Sequence, residues 1–179
     1  DEFASPAEKT RPGAGKGKGQ ISGSSETFVS APIEKVWEFL ADPTRVPEWE
    51  PSIGSVEHSG QETTVGAVWQ GIAPTSHPDG KPVKIKPQFR LRSIELVAAH
   101  RPERIVWSFA HPDVARSSSV LTEFTLVNTT GGTQVQITKS WSRRHGWRSL
   151  VALPLRPIQK FLAWITLFQT GSAISRAFR

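Results

Sequence analysis

The run Phe28-Val29-Ser30-Ala31-Pro32-Ile33-Glu34-Lys35-Val36-Trp37-Glu38-Phe39-Leu40-Ala41-Asp42-Pro43 carries a strand end, a helix and a stop signal in one short stretch. Just upstream, Glu26-Thr27-Phe28-Val29-Ser30 alternates as a half-buried strand does. Pro32 suits the first turn of a helix, with Ser30 or Ala31 at the cap and Glu34 near the positive end of the helix dipole. Ile33, Val36, Trp37 and Leu40 then share one apolar face, and Asp42-Pro43 ends the helix. A second short helical turn is predicted at residues 44–49, between Pro43 and Pro51.

Downstream the chain is strand-rich and punctuated by turns. Residues 53–58, 66–73, 88–98, 104–111, 119–127 and 133–142 read as strands, separated by Ser59-Gly60, a Pro-rich loop at 74–87, Arg101-Pro102, residues 112–116 and residues 128–132. With the first strand this makes seven. Their short connections predict antiparallel pairing, because a parallel crossover needs about a dozen residues or more.

The last segment changes period. Val151, Leu155, Ile158, Leu162 and Ile165 step by four and three, and Phe161, Trp164 and Phe168 widen the stripe. An amphipathic helix is predicted from about Pro154, since Pro154 and Pro157 are tolerated only in its first turn; Gly171 ends or kinks it. Residues 150–168 contain Pro154, Arg156, Pro157, Gln159 and Lys160, which argues against a transmembrane helix. The order strand, two short helices, six strands, long helix predicts an α+β domain in which a curved seven-stranded antiparallel sheet wraps the C-terminal helix. A helix gripped this way leaves volume for a pocket that is mostly apolar with a few polar groups.

Residues 1–21, rich in Gly, Pro and scattered charge, are expected to be a disordered tail, with residues 22–179 forming the domain. The first twenty residues lack the apolar core of a secretory signal, so a cytoplasmic protein is expected. The net charge of +6 is unevenly spread: all 16 Asp+Glu precede Phe124, and the chain beyond holds Lys and Arg but no acid. That basic end, with Trp141-Ser142-Arg143-Arg144-His145-Gly146-Trp147-Arg148, fits an anionic membrane surface, giving peripheral membrane association; nucleic acid is not expected, since no nucleic-acid fold signature accompanies the charge. The chain has no Cys and no Tyr, which excludes thiolate metal sites, a cysteine nucleophile and a phenolic acid. Its five His stand at no metal-ligand spacing, and no HExxH, GxSxG or phosphate-binding loop occurs; no metal or cofactor is expected.

The opening run, followed by Val46-Pro47-Glu48-Trp49 and Pro51-Ser52-Ile53, resembles the start of the polyketide cyclase/dehydrase and lipid-transport family of the START-related helix-grip (SRPBCC) superfamily. Gly66-Ala67-Val68-Trp69 and Gly131-Gly132-Thr133-Gln134-Val135 resemble it too, in the expected order, so that the likeness covers about residues 22–170. What the resemblance implies is a cavity for a hydrophobic ligand between sheet and terminal helix. Relatives include lipid carriers as well as aromatases and cyclases, and the fold does not choose among them.

Period-two alternation from Val135 and Ile137 puts Lys139 and Trp141 on the side facing the helix, unless the strand has left the core by then and Lys139 is solvated. Arg90 and Arg92 alternate with Phe89 and Leu91; hydrophobic-in, polar-out patterning places the arginines in solvent and Phe89 and Leu91 against the ligand. The opposite register lines the cavity with two guanidiniums and calls for an anionic ligand. Trp69, Trp107, Phe109, Trp141, Phe161, Ile165 and Phe168 complete the expected ligand-binding wall, although aromatic stripes are more often plain core. The expected function is binding or transport of a small hydrophobic ligand, lipid-, polyketide- or quinone-like. The enzymatic alternative is a polyketide cyclase, aromatase or dehydratase in which Lys139, Arg90 or His111 polarises a carbonyl and moves a proton; the absent Tyr weighs against it.

Overall fold

The computed structural model describes residues 21–57, 62–76, 80–86, 90–110, 119–142 and 156–179, with the backbone alone at 21, 142 and 156–164. In chain order they form β1 (Ile21–Val29), α1 (Ile33–Ala41), a 3-10 turn (Pro43–Arg45), α2 (Val46–Trp49), β2 (Ser55–Glu57), β3 (Val68–Ile72), β4 (Leu91–His100), β5 (Arg104–Ala110), β6 (Ser119–Thr129), β7 (Gly132–Ser142) and α3 (Arg156–Ala177). The seven strands make one antiparallel sheet in the order β1-β7-β6-β5-β4-β3-β2. This is the helix-grip α+β architecture.

Strands β1 and β2 lie at opposite edges, so the segment between them must cross the sheet. It does so as α1, the 3-10 turn and α2, which lay Ile33, Val36, Phe39, Leu40, Val46 and Trp49 on the inner face. Each such side chain, fully buried, contributes about 1.5–3 kcal/mol. Helix α1 starts after Pro32, whose extended ψ of 147° makes it the N-cap in place of Ser30 or Ala31. Asp42 ends it and opens the 3-10 turn by accepting hydrogen bonds from the Thr44 amide at 2.9 Å and hydroxyl at 2.6 Å. Trp37 is only half-buried, and its ring lies under the Arg101 guanidinium; Phe39 takes the core place expected for it. The reason is tertiary: Phe39 meets Phe178, just beyond α3, edge-on at 5.2 Å, a partner that helical periodicity cannot reveal.

Register assigns the faces. Gly23, Lys139, Thr122, Trp107 and Leu96 are successive cross-strand partners and share the inner face; Trp141, Val120, Phe109, Ile94 and Trp69 form the next row. Between β6 and β7, Thr129 pairs with Gly132 across a tight hairpin whose Gly131 has φ +87°, a conformation that disfavours any side chain.

Helix α3 lies against β1 and β7. Its described buried positions are Leu167, Thr170, Gly171 and Ile174, and Thr27 and Ser175 are joined by a 2.7 Å hydrogen bond. One expectation changes here. The helix, described from Arg156, does not end at Gly171 but continues to Ala177, while residues 154 and 155, where its start was expected, lie outside the described residues. Gly171 faces the sheet, where a Cβ would lie 3.6 Å from Ile137 Cδ1 and 3.7 Å from Thr27 Cβ, ordinary contact distances. Gly171→Ala is therefore expected to stabilise the domain by about 0.5–1 kcal/mol, the helix-propensity difference, measured as a rise in the urea midpoint; a fall would mean that the helix sits closer to β7 than these distances allow.

Candidate functional site

The inner face is filled unevenly. Under α1 and α2 the aromatic side chains close on one another: Trp49 meets Phe124 edge-on at 5.0 Å, Phe109 at 6.0 Å and Trp107 at 6.4 Å, while Trp69 lies 5.8 Å from Trp107. Trp107 also donates its indole N–H to the Leu40 carbonyl at 3.0 Å, tying β5 to α1. Toward α3 this core gives way to a cavity of about 250 Å³, partly open to solvent. Its apolar wall comes from Phe109, Ala110, Val120 and Trp141; Glu50, Ser52, Arg92, Lys139 and Thr166 supply its polar groups.

The polar heart of the cavity is one ion pair. Lys139 Nζ donates to Glu50 Oε2 at 2.7 Å, and the two side chains are only 2% and 6% exposed. Glu50 is placed by local backbone geometry. It caps the end of α2, its amide donating to the Val46 carbonyl at 2.8 Å, and its other carboxylate oxygen accepts from the Ser52 amide at 3.2 Å and hydroxyl at 2.7 Å. Lys139 is placed by register, opposite Gly23 on one side and Thr122 on the other. Its ammonium carries three donors, and among the described residues Glu50 is its one hydrogen-bond partner.

The expected site residues that fall among the described ones can now be placed. Lys139 is inside, not solvated, because the inner face continues past Ile137 and Glu50 balances its charge, the condition under which a lysine is buried. Phe109 and Trp141 line the cavity. Trp69 and Trp107 are fully buried core rings and do not line it. The β4 expectation reverses: Arg92 shares the inner face with Ile94 and Leu96 and lines the cavity, so Leu91 alternates to the outer face. Unbroken alternation with the buried Ile94 and Leu96 and the pairing with β3 set this phase, which the polarity of Arg92 alone reads the other way. Burial holds the Arg92 guanidinium below arginine's ordinary pKa, and its Nη1 donates to the Leu91 carbonyl at 3.1 Å. Arg90 is exposed ahead of the strand.

On α3, Ile165 is half-buried and Phe168 is 63% exposed, so Phe168 is no part of the inner wall. The helix is apolar on more than one side, and contact with the small residues of β1 selects the Leu167, Thr170, Gly171 and Ile174 face instead; at Gly23 a Cβ would come within 2.8 Å of Leu167 Cδ1. Phe89, His111 and the Phe161 side chain lie outside the described residues, as do residues 143–155 of the basic end. Among the described residues no helix is long and apolar enough to cross a membrane, and no group of three or more His, Asp or Glu is placed to hold a metal ion.

Glu50 is the site residue that the sequence reading missed. Its signal was available in outline: a lysine on an inner strand face requires an acid, every acid precedes Phe124, and Glu50 directly follows the buried Trp49 at the end of a helical turn.

Comparison with known proteins agrees with this architecture. The chain resembles protein CV1439 from Chromobacterium violaceum at 18% identity and a TM-score of 0.53, covering 86% of this chain and 96% of that one. Ara h 8.0201 gives 14% identity and a TM-score of 0.54, with 89% and 98% covered. The di-domain ARO/CYC StfQ from the steffimycin biosynthetic pathway gives 14% identity and a TM-score of 0.56, with 89% of this chain matching 50% of that one. At these identities the likeness is one of fold. No curated relative matches. A family model described as polyketide cyclase / dehydrase and lipid transport matches residues 20–163, and on that span the chain belongs to the polyketide cyclase/dehydrase and lipid transport family.

Proposed function

We propose that this protein binds a small, largely apolar molecule in the cavity between the sheet and α3. The observation that carries this reading is the 250 Å³ space walled by Phe109, Val120 and Trp141 beside the packed rings of Trp49, Trp107 and Phe124. Ligand sites are typically about 300–1,000 Å³, so the volume suits a compact ring system or one end of a longer chain. The partial opening to solvent gives such a molecule a way in. A second reading, a cyclase or dehydratase, is favoured by the Lys139 and Glu50 pair on the wall, where an ammonium can polarise a carbonyl and a carboxylate can take a proton. Anionic membrane association through the basic end stays a proposal of its own, for which salt-sensitive sedimentation with anionic vesicles is the direct assay.

Native mass spectrometry of the purified protein, before and after exposure to lipid extracts and aromatic polyketide analogues, tests the main reading. The wild type is expected to retain a small-molecule adduct. Val120→Trp, which fills the cavity, is expected to lose it. No adduct in either protein, or an equal adduct in both, would remove the cavity as the binding site. The released compound separates the two readings: a carrier returns it unchanged, whereas a dehydratase returns it lighter by one water.

A further inference from the structure

We propose that the cavity selects ligands carrying an uncharged oxygen acceptor, a carbonyl or a hydroxyl, anchored on the Lys139 ammonium, and that the Glu50 carboxylate makes the same site unfavourable for carboxylates. The proposal rests on the reading of the cavity as a binding site and specifies what that site recognises.

Three observations support it. Lys139 is 2% exposed and lines the cavity, yet among the described residues only one of its three N–H donors is taken, by Glu50 at 2.7 Å. Buried donors are normally satisfied, so the remaining two call for an acceptor brought in from the cavity. Thr122, the cross-strand neighbour of Lys139, is fully buried on the same inner face, and its hydroxyl has no hydrogen-bond partner among the described residues. The sheet thus sets a second polar residue without a described partner directly opposite Lys139 in register, next to Trp107 on β5, although Thr122 itself does not line the cavity. Finally, the positive charge is already compensated. Glu50 is held by Ser52 as well as by Lys139, so it cannot swing away to make room for a competing anion without breaking those bonds.

A ligand carboxylate at Lys139 would put two carboxylates on one ammonium inside a poorly solvated space, where like charges repel strongly. A ketone or alcohol accepts the same donors without that penalty. A ligand ammonium would meet Lys139 and Arg92 on the same wall. A hydrogen bond to an ionised group changes affinity by roughly tenfold to a hundredfold, which sets the size of the expected preference.

The experiment uses the full chain and four probes that share one ring system: naphthalene, 2-acetonaphthone, 2-naphthoate and 2-(aminomethyl)naphthalene. Dissociation constants are taken from ligand-observed NMR at neutral pH. The ketone is expected to bind about tenfold or more tightly than each of the other three. In the double variant Lys139→Met, Glu50→Gln, which removes both charges together, the gap between ketone and naphthalene is expected to close to within about threefold. Equal binding of ketone and naphthalene to the wild type overturns the proposal, as does a carboxylate that binds tightest, or a ketone preference that survives in the double variant. Should that variant fold poorly, the wild-type ranking decides the matter alone. If naphthalene binds and the ketone gains nothing, the anchor is wrong and the cavity stands; if none of the four binds, the cavity reading falls and takes the anchor with it.

Discussion

Lys139→Met is expected to destabilise the domain by about 3–5 kcal/mol, as a drop in the urea midpoint at unchanged slope. The cause is the carboxylate left behind. Glu50 is 5% exposed, and with Lys139 gone its charge keeps, among the described residues, only the Ser52 amide and hydroxyl as donors. A buried ion pair, by contrast, is nearly balanced against its own desolvation, so removing both charges is far milder than removing one. The double variant Lys139→Met, Glu50→Gln is therefore expected to recover most of the loss, to within about 1–2 kcal/mol of the wild type. The pair also has a mechanical consequence, because it ties the end of α2 to β7 across the inner face. A single Lys139→Met variant as stable as the wild type would show that water reaches Glu50 freely, and the pair would then lose its standing as a buried element of the site.

Trp49→Ala is expected to cost about 3–5 kcal/mol, at the upper end of the range for large aromatic truncations. Trp49 is wholly buried and makes ring contacts with Trp107, Phe109 and Phe124 at once, so no single neighbour can move in to fill the space. Ring pairs of this kind add about 0.5–1.5 kcal/mol each beyond their buried area. The indole nitrogen contributes nothing comparable, since Trp49 Nε1 has no hydrogen-bond partner among the described residues. Trp49→Phe, which keeps a ring and discards that nitrogen, is accordingly expected to lose less than half as much as Trp49→Ala in the same denaturation series. Equal losses in the two variants would shift the weight of the site from ring packing to the nitrogen, and would point to an acceptor for it. Trp49 precedes Glu50 directly, so the Trp49→Ala variant should also loosen the ion pair and weaken naphthalene binding along with stability.

The architecture was legible because its signals are local. Pro32, the apolar stepping after it, Asp42-Pro43 and Pro51 state where the helices between β1 and β2 begin and end, through backbone restrictions that hold in any environment. Patterning in β5 and β7 likewise pointed to Trp107, Phe109, Val135 and Ile137 as inward, and all four are buried. The aromatic residues could not be divided between core and cavity in the same way. Trp107 and Phe109 occupy the same face of one strand and both meet Trp49; the further contacts of Trp107 with Trp69 and the Leu40 carbonyl mark it as core, whereas Phe109 borders open space.

Three features of the site lie beyond local pattern. The phase of β4 was misread because Arg92 is polar, whereas the pairing of Ile94 and Leu96 with β3 and β5 turns it inward. From residue 165 onward the buried face of α3 was misplaced because the helix carries apolar residues on more than one side, so contact with β1 at Gly23 and Thr27 selects it. The partner of Lys139 stands eighty-nine residues away in sequence, and no periodicity links the two. By itself, then, the sequence determined the order of elements, their antiparallel pairing and the family, because those follow from propensity and backbone stereochemistry. The tertiary structure decided which charges meet and where the space remains, because both depend on how distant segments stack across one sheet face.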